Sequence, residues 1–192
     1  MINTLSFWRK ALKTPENSQE TRMGILNDLR NRVRQIGEGI QSGEMVRDVV
    51  VQHEADIMEL QKIQLFEGLA SSGEDIRPYY SEDLKPTGYF HSKESAGRYA
   101  AWKGDGINYP YKANRNPDAP NLYVNGRFHS ELGVQFDADT VGIVPTTLYA
   151  AGIVAKYGLS TFGLMTAKWR ALFFERGGYD ELMKQIKSRL YV

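Results

Sequence analysis

Three histidines, His53, His91 and His129, are the chain's only imidazoles, and it has no cysteine. Without cysteine there is no thiolate nucleophile, no disulfide and no cysteine-ligated zinc or iron–sulfur centre. His53-Glu54 opens like the helix of a zinc protease. That chemistry needs a second histidine four positions on, so that both ligands share a helix face, and position 57 is isoleucine. His53 therefore reads as a packed or partner-facing helix residue. His91-Ser92 and His129-Ser130 are sequence neighbours, and adjacent side chains on a strand point to opposite faces. Neither pair then makes a nucleophile with its base. Glu54, Asp56 and Glu59 offer carboxylates of the kind glycoside hydrolysis needs, but a polar helix face accounts for them. Asp137 and Asp139 read as turn residues rather than cation ligands. There is no GxxxxGK[ST] run, and Gly104-Asp105-Gly106 is too short to cradle a phosphate. The residues predict no enzyme, no cofactor and no metal.

Aromatic residues are the second candidate group, with 11 tyrosines in the chain. Tyr79, Tyr80, Tyr89, Phe90, Tyr99, Trp102, Tyr109, Tyr111 and Tyr123 crowd into one stretch, with Lys85, Lys93, Arg98, Lys103, Lys112 and Arg115 between them. Rings interleaved with cations suit single-stranded nucleic acid. Tyrosine and arginine also dominate protein–protein contacts, and that reading is preferred here. Arg77, Tyr79, Tyr80, Tyr109, Tyr111 and Arg115 are the expected anchors, in contact surfaces at 68–81 and 104–120. For Tyr79 and Tyr80 the plain alternative is a strand pair, one ring inward and one outward.

The elements that must position these groups read as mixed α and β. At 192 residues, 42% hydrophobic and 24% charged, the chain suits one ordinary globular domain plus an arm. The expected division is a helical arm over 1–42 and an α+β core over 43–192. A net charge of +1 gives no overall drive toward nucleic acid or membrane. The charge is nonetheless uneven: basic residues lead over 1–34 and 165–192, and acids dominate 44–83. Unlike patches of this kind can fix register between neighbouring copies. The N-terminus lacks the pattern of a signal peptide, and no run is apolar enough to span a membrane.

Periodicity predicts a short helix over 5–13 and another over 21–36, with Ile25, Leu29, Val33 and Ile36 as its apolar row. Gly37, Gly39 and Ser42-Gly43 are expected to interrupt it. The longest helix is expected over 44–67, ended by Gly68. An extended piece follows at 76–80, then a helix from Ser92 to Lys103 and a long loop at 104–120. Strands are expected at 122–128, 132–136 and 141–144, the last two as a hairpin. Helices are expected at 148–157, after a Thr166 cap, and at 179–190. Ala150, Ala151, Gly152 and Ala155 would let a neighbouring element come close.

From about Gln61 to Val192 the sequence resembles the neck or tail-completion proteins of tailed bacteriophages. The pieces that carry the resemblance come in order. A long helix leads into Gly68-x4-Gly73-x2-Ile76-x-Pro78-Tyr79-Tyr80-Ser81. Next comes Leu122-Tyr-Val-Asn125-Gly126-Arg-Phe128-His-Ser130-Glu-Leu132, then the hairpin from Gly133 to Pro145. Tyr149-Ala150-Ala151, Lys156-Tyr157-Gly158 and Phe162-Gly163-Leu164 follow. Asn125 stands where that family has threonine, and the helices after Gly178 are an extension. The resemblance implies an α+β structural protein of the virion, made in the host bacterial cytoplasm. Its copies would form a ring, a hexamer or dodecamer, around the DNA channel between head and tail. Its partners would be itself and adjacent portal, adaptor or tail ring proteins, with unspecific proximity to packaged DNA and no membrane. The alternative is a nucleic-acid-binding module using the basic N-terminal helix, with Arg22, Arg30, Arg32 and Arg34, together with the 79–123 stretch.

Overall fold

The computed structural model describes residues 16–105, 115–137, 141–148 and 150–191. The expected helix at 5–13 and the Tyr109 and Tyr111 anchors lie outside them. Among the described residues the fold is α+β: eight helices and one two-stranded antiparallel sheet. The helices are α1 (Glu16–Gln41), α2 (Glu44–Gln52), α3 (Glu54–Glu67), α4 (Lys93–Asp105), α5 (Arg127–Ser130), α6 (Ala150–Tyr157), α7 (Thr166–Glu175) and α8 (Gly178–Leu190). The strands are β1 (Leu132–Phe136) and β2 (Val141–Pro145). Internal contacts divide the chain into two units. One takes the residues up to Val46 with those from Glu181 onward; the other is Arg47–Asp180.

In the first unit α1 runs 26 residues, through the expected breaks at Gly37 and Gly39. Glycine inside a helix costs about 1 kcal/mol, a local penalty that packing offsets at Gly39. A Cβ there would come within 3.2 Å of the Met45 side chain and 3.3 Å of Arg189. The helix ends at Ser42-Gly43, the later of the expected breaks. Ser42 N donates to Glu38 O at 2.8 Å, and Gly43 turns the chain at φ +76°. Arg32 donates to Leu190 O at 3.4 Å, which holds α8 to α1, and Arg189 pairs with Glu44 at the start of α2 at 3.3 Å.

In the second unit, the single helix expected over 44–67 is two helices that meet at His53. Its φ and ψ, −102° and 21°, leave the helical region. His53 Nδ1 lies 2.9 Å from Asp56 Oδ2, so the imidazole braces the start of α3. Gly68 ends α3 at φ 78°, the left-handed conformation that glycine adopts freely. Around α3 lies the main core, Leu65, Ile76, Phe128, Leu132 and Phe162. The hairpin pairs Leu132 with Pro145, Val134 with Ile143 and Phe136 with Val141. A smaller core of Tyr80, Phe90, Ala96 and Ala100 sits under α4. Ser92 caps α4 reciprocally: Ser95 N donates to Ser92 Oγ (3.2 Å) and Ser92 N to Ser95 Oγ (3.1 Å).

Three further expectations are corrected. Residues 122–128 form no strand; they are irregular up to Gly126, which turns at φ 80° into the short α5. The 76–80 piece forms no strand: Ile76 N donates to Gly68 O beside an isolated Leu69–Asp75 bridge, 77–78 is a bend, and Tyr80 N donates to Asp118 O. The cap of α7 is Met165, without a side-chain hydrogen bond, so Thr166 is its first helical residue. On α6, Ala151, Gly152 and Ala155 face solvent.

Gly88 closes the turn that brings Phe90 back to Asp83. A Cβ on it would lie 2.1 Å from the Asp83 carbonyl carbon and 2.4 Å from Leu84 N. Backbone cannot swing aside as a flexible side chain can. Gly88→Ala is therefore expected to destabilise the second unit by about 2–3 kcal/mol. The check is a urea titration, and an unchanged midpoint would contradict the packing described.

Candidate functional site

The described parts of the two expected contact surfaces, 68–81 and 115–120, bind each other. Tyr80 N donates to Asp118 O (3.0 Å) and Ser81 N to Asp118 Oδ1 (3.0 Å), while Asn116 Nδ2 donates to Asp75 Oδ2 (2.9 Å). This clamp sorts the candidate anchors into two places.

Arg77 and Tyr79 are on the outside. The Arg77 guanidinium stacks 3.8 Å from the centre of the Tyr79 ring and reaches Glu82 Oε1 at 2.5 Å. The Tyr79 hydroxyl donates to Asp75 Oδ2 (2.8 Å), which pushes its pKa up, because ionising the phenol would lose that bond. The cation and ring are thus fixed in one orientation before any partner arrives.

Tyr80 is on the inside, at 6% exposure, so the pair has one ring inward and one outward. Tyr80 meets Tyr99 edge-on, with centroids 5.1 Å apart. Both rings line a cavity of about 320 Å³ with Lys103, Leu122, Phe128 and Tyr157, opening at the exposed Val124 and Asn125. Burial and the neighbouring phenols push Tyr80 well above the usual tyrosine value, and burial pushes Tyr157 up to about 12. Leu122 sits at φ 50°, a conformation that costs a non-glycine residue roughly 1 kcal/mol.

Lys103 is the cavity's unusual member. It belongs to α4, yet only 1% of it is exposed. Its ammonium donates to the Tyr123 carbonyl and lies 5.9 Å from the Tyr99 ring centre. Burial, with the positive field of Arg115 added, lowers its pKa to about 8. Arg115, the last described anchor, donates to Ala119 O at 3.3 Å. Behind this wall His129 Nε2 donates to Asn121 O at 3.1 Å.

Sequence reasoning put Lys103 and Tyr99 in the stretch of interleaved rings and cations and Tyr157 in a separate helix, and it did not bring the three together. A lysine one turn after Tyr99, on the face that carries Ala96 and Ala100, was the available signal. Among the described residues no group of three or more His, Asp or Glu is placed to hold a metal ion, and no helix is long and apolar enough to cross a membrane. No family model, no curated protein and no solved structure matches the chain.

Proposed function

We propose that this chain is a structural component of a tailed-phage virion, part of the head–tail connector, neck or tail ring, acting through protein–protein contact. The observation that carries the contact reading is the apolar row of α1. Leu26, Leu29, Val33 and Ile40 are 61%, 44%, 55% and 46% exposed, at spacings that keep them on one side of the helix. Covering what remains exposed of each such side chain gains about 1 kcal/mol, and a folded chain seldom leaves four together in water. Leu29, Val33 and Ile40 also fall at the four- and seven-residue spacing at which helices pack against one another. The phage assignment rests on the ordered second-half motifs. A ring requires two different patches of one subunit to meet. The occupant proposed for the α1 row is a helix of the neighbouring copy.

Native mass measurement tests this. The chain is expected as a hexamer or dodecamer. Leu29→Glu with Val33→Glu should give monomers whose Arg47–Asp180 unit melts as before. A wild-type chain that stays monomeric at its highest soluble concentration, and does not sediment with portal or tail rings, would sink the reading.

A second reading has its own observation. Asn27, Arg30, Asn31 and Arg34 line one surface groove of α1. Arginine and asparagine together suit nucleic acid, as charge and as base-edge donors. Salt-titrated DNA binding separates the readings: a steep salt slope from the isolated monomer favours the nucleic-acid module.

A further inference from the structure

We propose that Asn125 is a site of spontaneous covalent modification, at which the Gly126 nitrogen displaces the side-chain amide and closes a succinimide that water opens to aspartate or isoaspartate. The pair 125–126 is the chain's one Asn-Gly. Asn125 is exposed, at the mouth of the cavity, so that base and water reach it. Its Oδ1 accepts from Arg127 N at 3.1 Å. A side-chain oxygen bonded to the N–H two residues on folds back along the backbone, and this carries Cγ beside the intervening Gly126 N. Gly126 N–H and the Asn125 Nδ2 amine donate to no acceptor among the described residues. Neither the proton that must be lost nor the amine that must leave is tied down.

The fold also requires the glycine that leaves this asparagine most reactive. A side chain after the asparagine would crowd ring closure. Gly126 turns at φ 80°, and a Cβ on it would stand 3.2 Å from Tyr123 Oη and 3.3 Å from Cε2 of the same ring. Any replacement that slowed the reaction would strain the turn into α5. The step balances without a cofactor. Solvent base takes the proton from Gly126 N, whose electron pair forms the bond to Asn125 Cγ. Negative charge moves onto Oδ1, where Arg127 N–H already points, as a fixed donor does for an oxyanion. The Cγ–Nδ2 bond then breaks, Nδ2 takes a proton from water, and ammonia departs. Water adds to either carbonyl of the succinimide and leaves a carboxylate. One carboxylate added to a formal net charge of +1 gives 0, and loss of net charge favours association. The site does not depend on whether the chain assembles into a ring.

The test ages the full chain, folded in buffer and unfolded in urea. It reads the tryptic peptide 116–127 by mass spectrometry, with chromatography to separate aspartate from isoaspartate. The folded chain is expected to convert Asn125 at a rate within roughly threefold of the unfolded chain's, or faster, because the turn holds the reacting atoms together. Its conversion should quicken from about pH 7 to about pH 9, since the proton on Gly126 N must first go to base. Asn125→Gln should leave the peptide unchanged on the same timescale, because the longer side chain has to close a larger ring. A folded rate below that threefold margin, a rate indifferent to pH, or the same mass gain in Asn125→Gln would each overturn the proposal.

Discussion

Replacing Gln64 by leucine is expected to destabilise the Arg47–Asp180 unit by roughly 3 kcal/mol, although the change makes the core more apolar. Gln64 is fully buried on α3. Its Nε2 donates to Gly163 O at 2.8 Å, and its Oε1 accepts from Met165 N at 2.8 Å. One amide thus serves two backbone groups of the turn that enters α7. Leucine matches its bulk but meets neither, and a buried backbone group left without a partner costs about 1–3 kcal/mol. The extra burial of leucine returns part of the sum. Gln61 gives the control. It is equally buried, yet only its Oε1 has a partner, accepting from Gly163 N at 3.1 Å; its Nε2 has none among the described residues. Gln61→Leu leaves one backbone group unmet and removes a buried amide that was itself half satisfied. It should cost no more than about 1 kcal/mol. Urea titrations of both variants decide the matter, and equal losses would show that packing volume, not hydrogen bonding, holds this turn.

Those two glutamines also mark where sequence reading ran out. Helical spacing of apolar residues declares the buried face of α3, as Ile57 and Leu60 show. It passed over Gln61 and Gln64, since polar residues are mostly exposed and nothing local says that a distant turn will need them. The hairpin at 132–145 was legible for the opposite reason: its register is set by a turn of a few residues and by alternation within each strand. Gly68 was legible because a left-handed helix end is a demand on one residue. The break at His53 was not, since the helical bonds from His53 N to Val49 O and from Ile57 N to His53 O continue on either side. The cavity was least legible of all. Tyr80, Lys103, Phe128 and Tyr157 come from four separate segments, and only the packing of the two small cores brings them together. Reading Tyr80 as a surface anchor treated tyrosine by its average habit. Its neighbours, Phe90 and Ala96, decide otherwise.

Acid should weaken the same unit, and one side chain supplies a separable share of the loss. His129 is 3% exposed, and burial, aided by the charges of Lys103 and Lys62, lowers its pKa to about 4 from an ordinary 6.5; the bond to Asn121 opposes this. The geometry explains the sign. With Nε2 donating to Asn121 O, the neutral ring is satisfied on that side, and Nδ1 has no partner among the described residues. A proton added to Nδ1 would bury a charge with no acceptor near it. Above pH 6.5 the ring is neutral both folded and unfolded, and pH has no effect through it. Between 6.5 and 4 the unfolded chain binds the proton and the folded one does not, so stability falls as pH falls. Below the folded value both are protonated and the loss is complete. The full difference is on the order of 3 kcal/mol. Asp56, held below the usual carboxylate range by its bonds to His53 and Arg176, weakens the fold in the same direction, so the total acid response is not His129's alone. His129→Gln isolates it, because an amide can still donate to Asn121 O but takes up no proton in this range. Urea midpoints for wild type and His129→Gln should diverge steadily as pH drops from 6.5 to 4, the wild type losing more. Parallel midpoints across that window would mean that His129 accepts its proton in the folded state, and so that the wall behind Lys103 is wetter or looser than the packing of Tyr123, Phe128 and Asn121 around it implies.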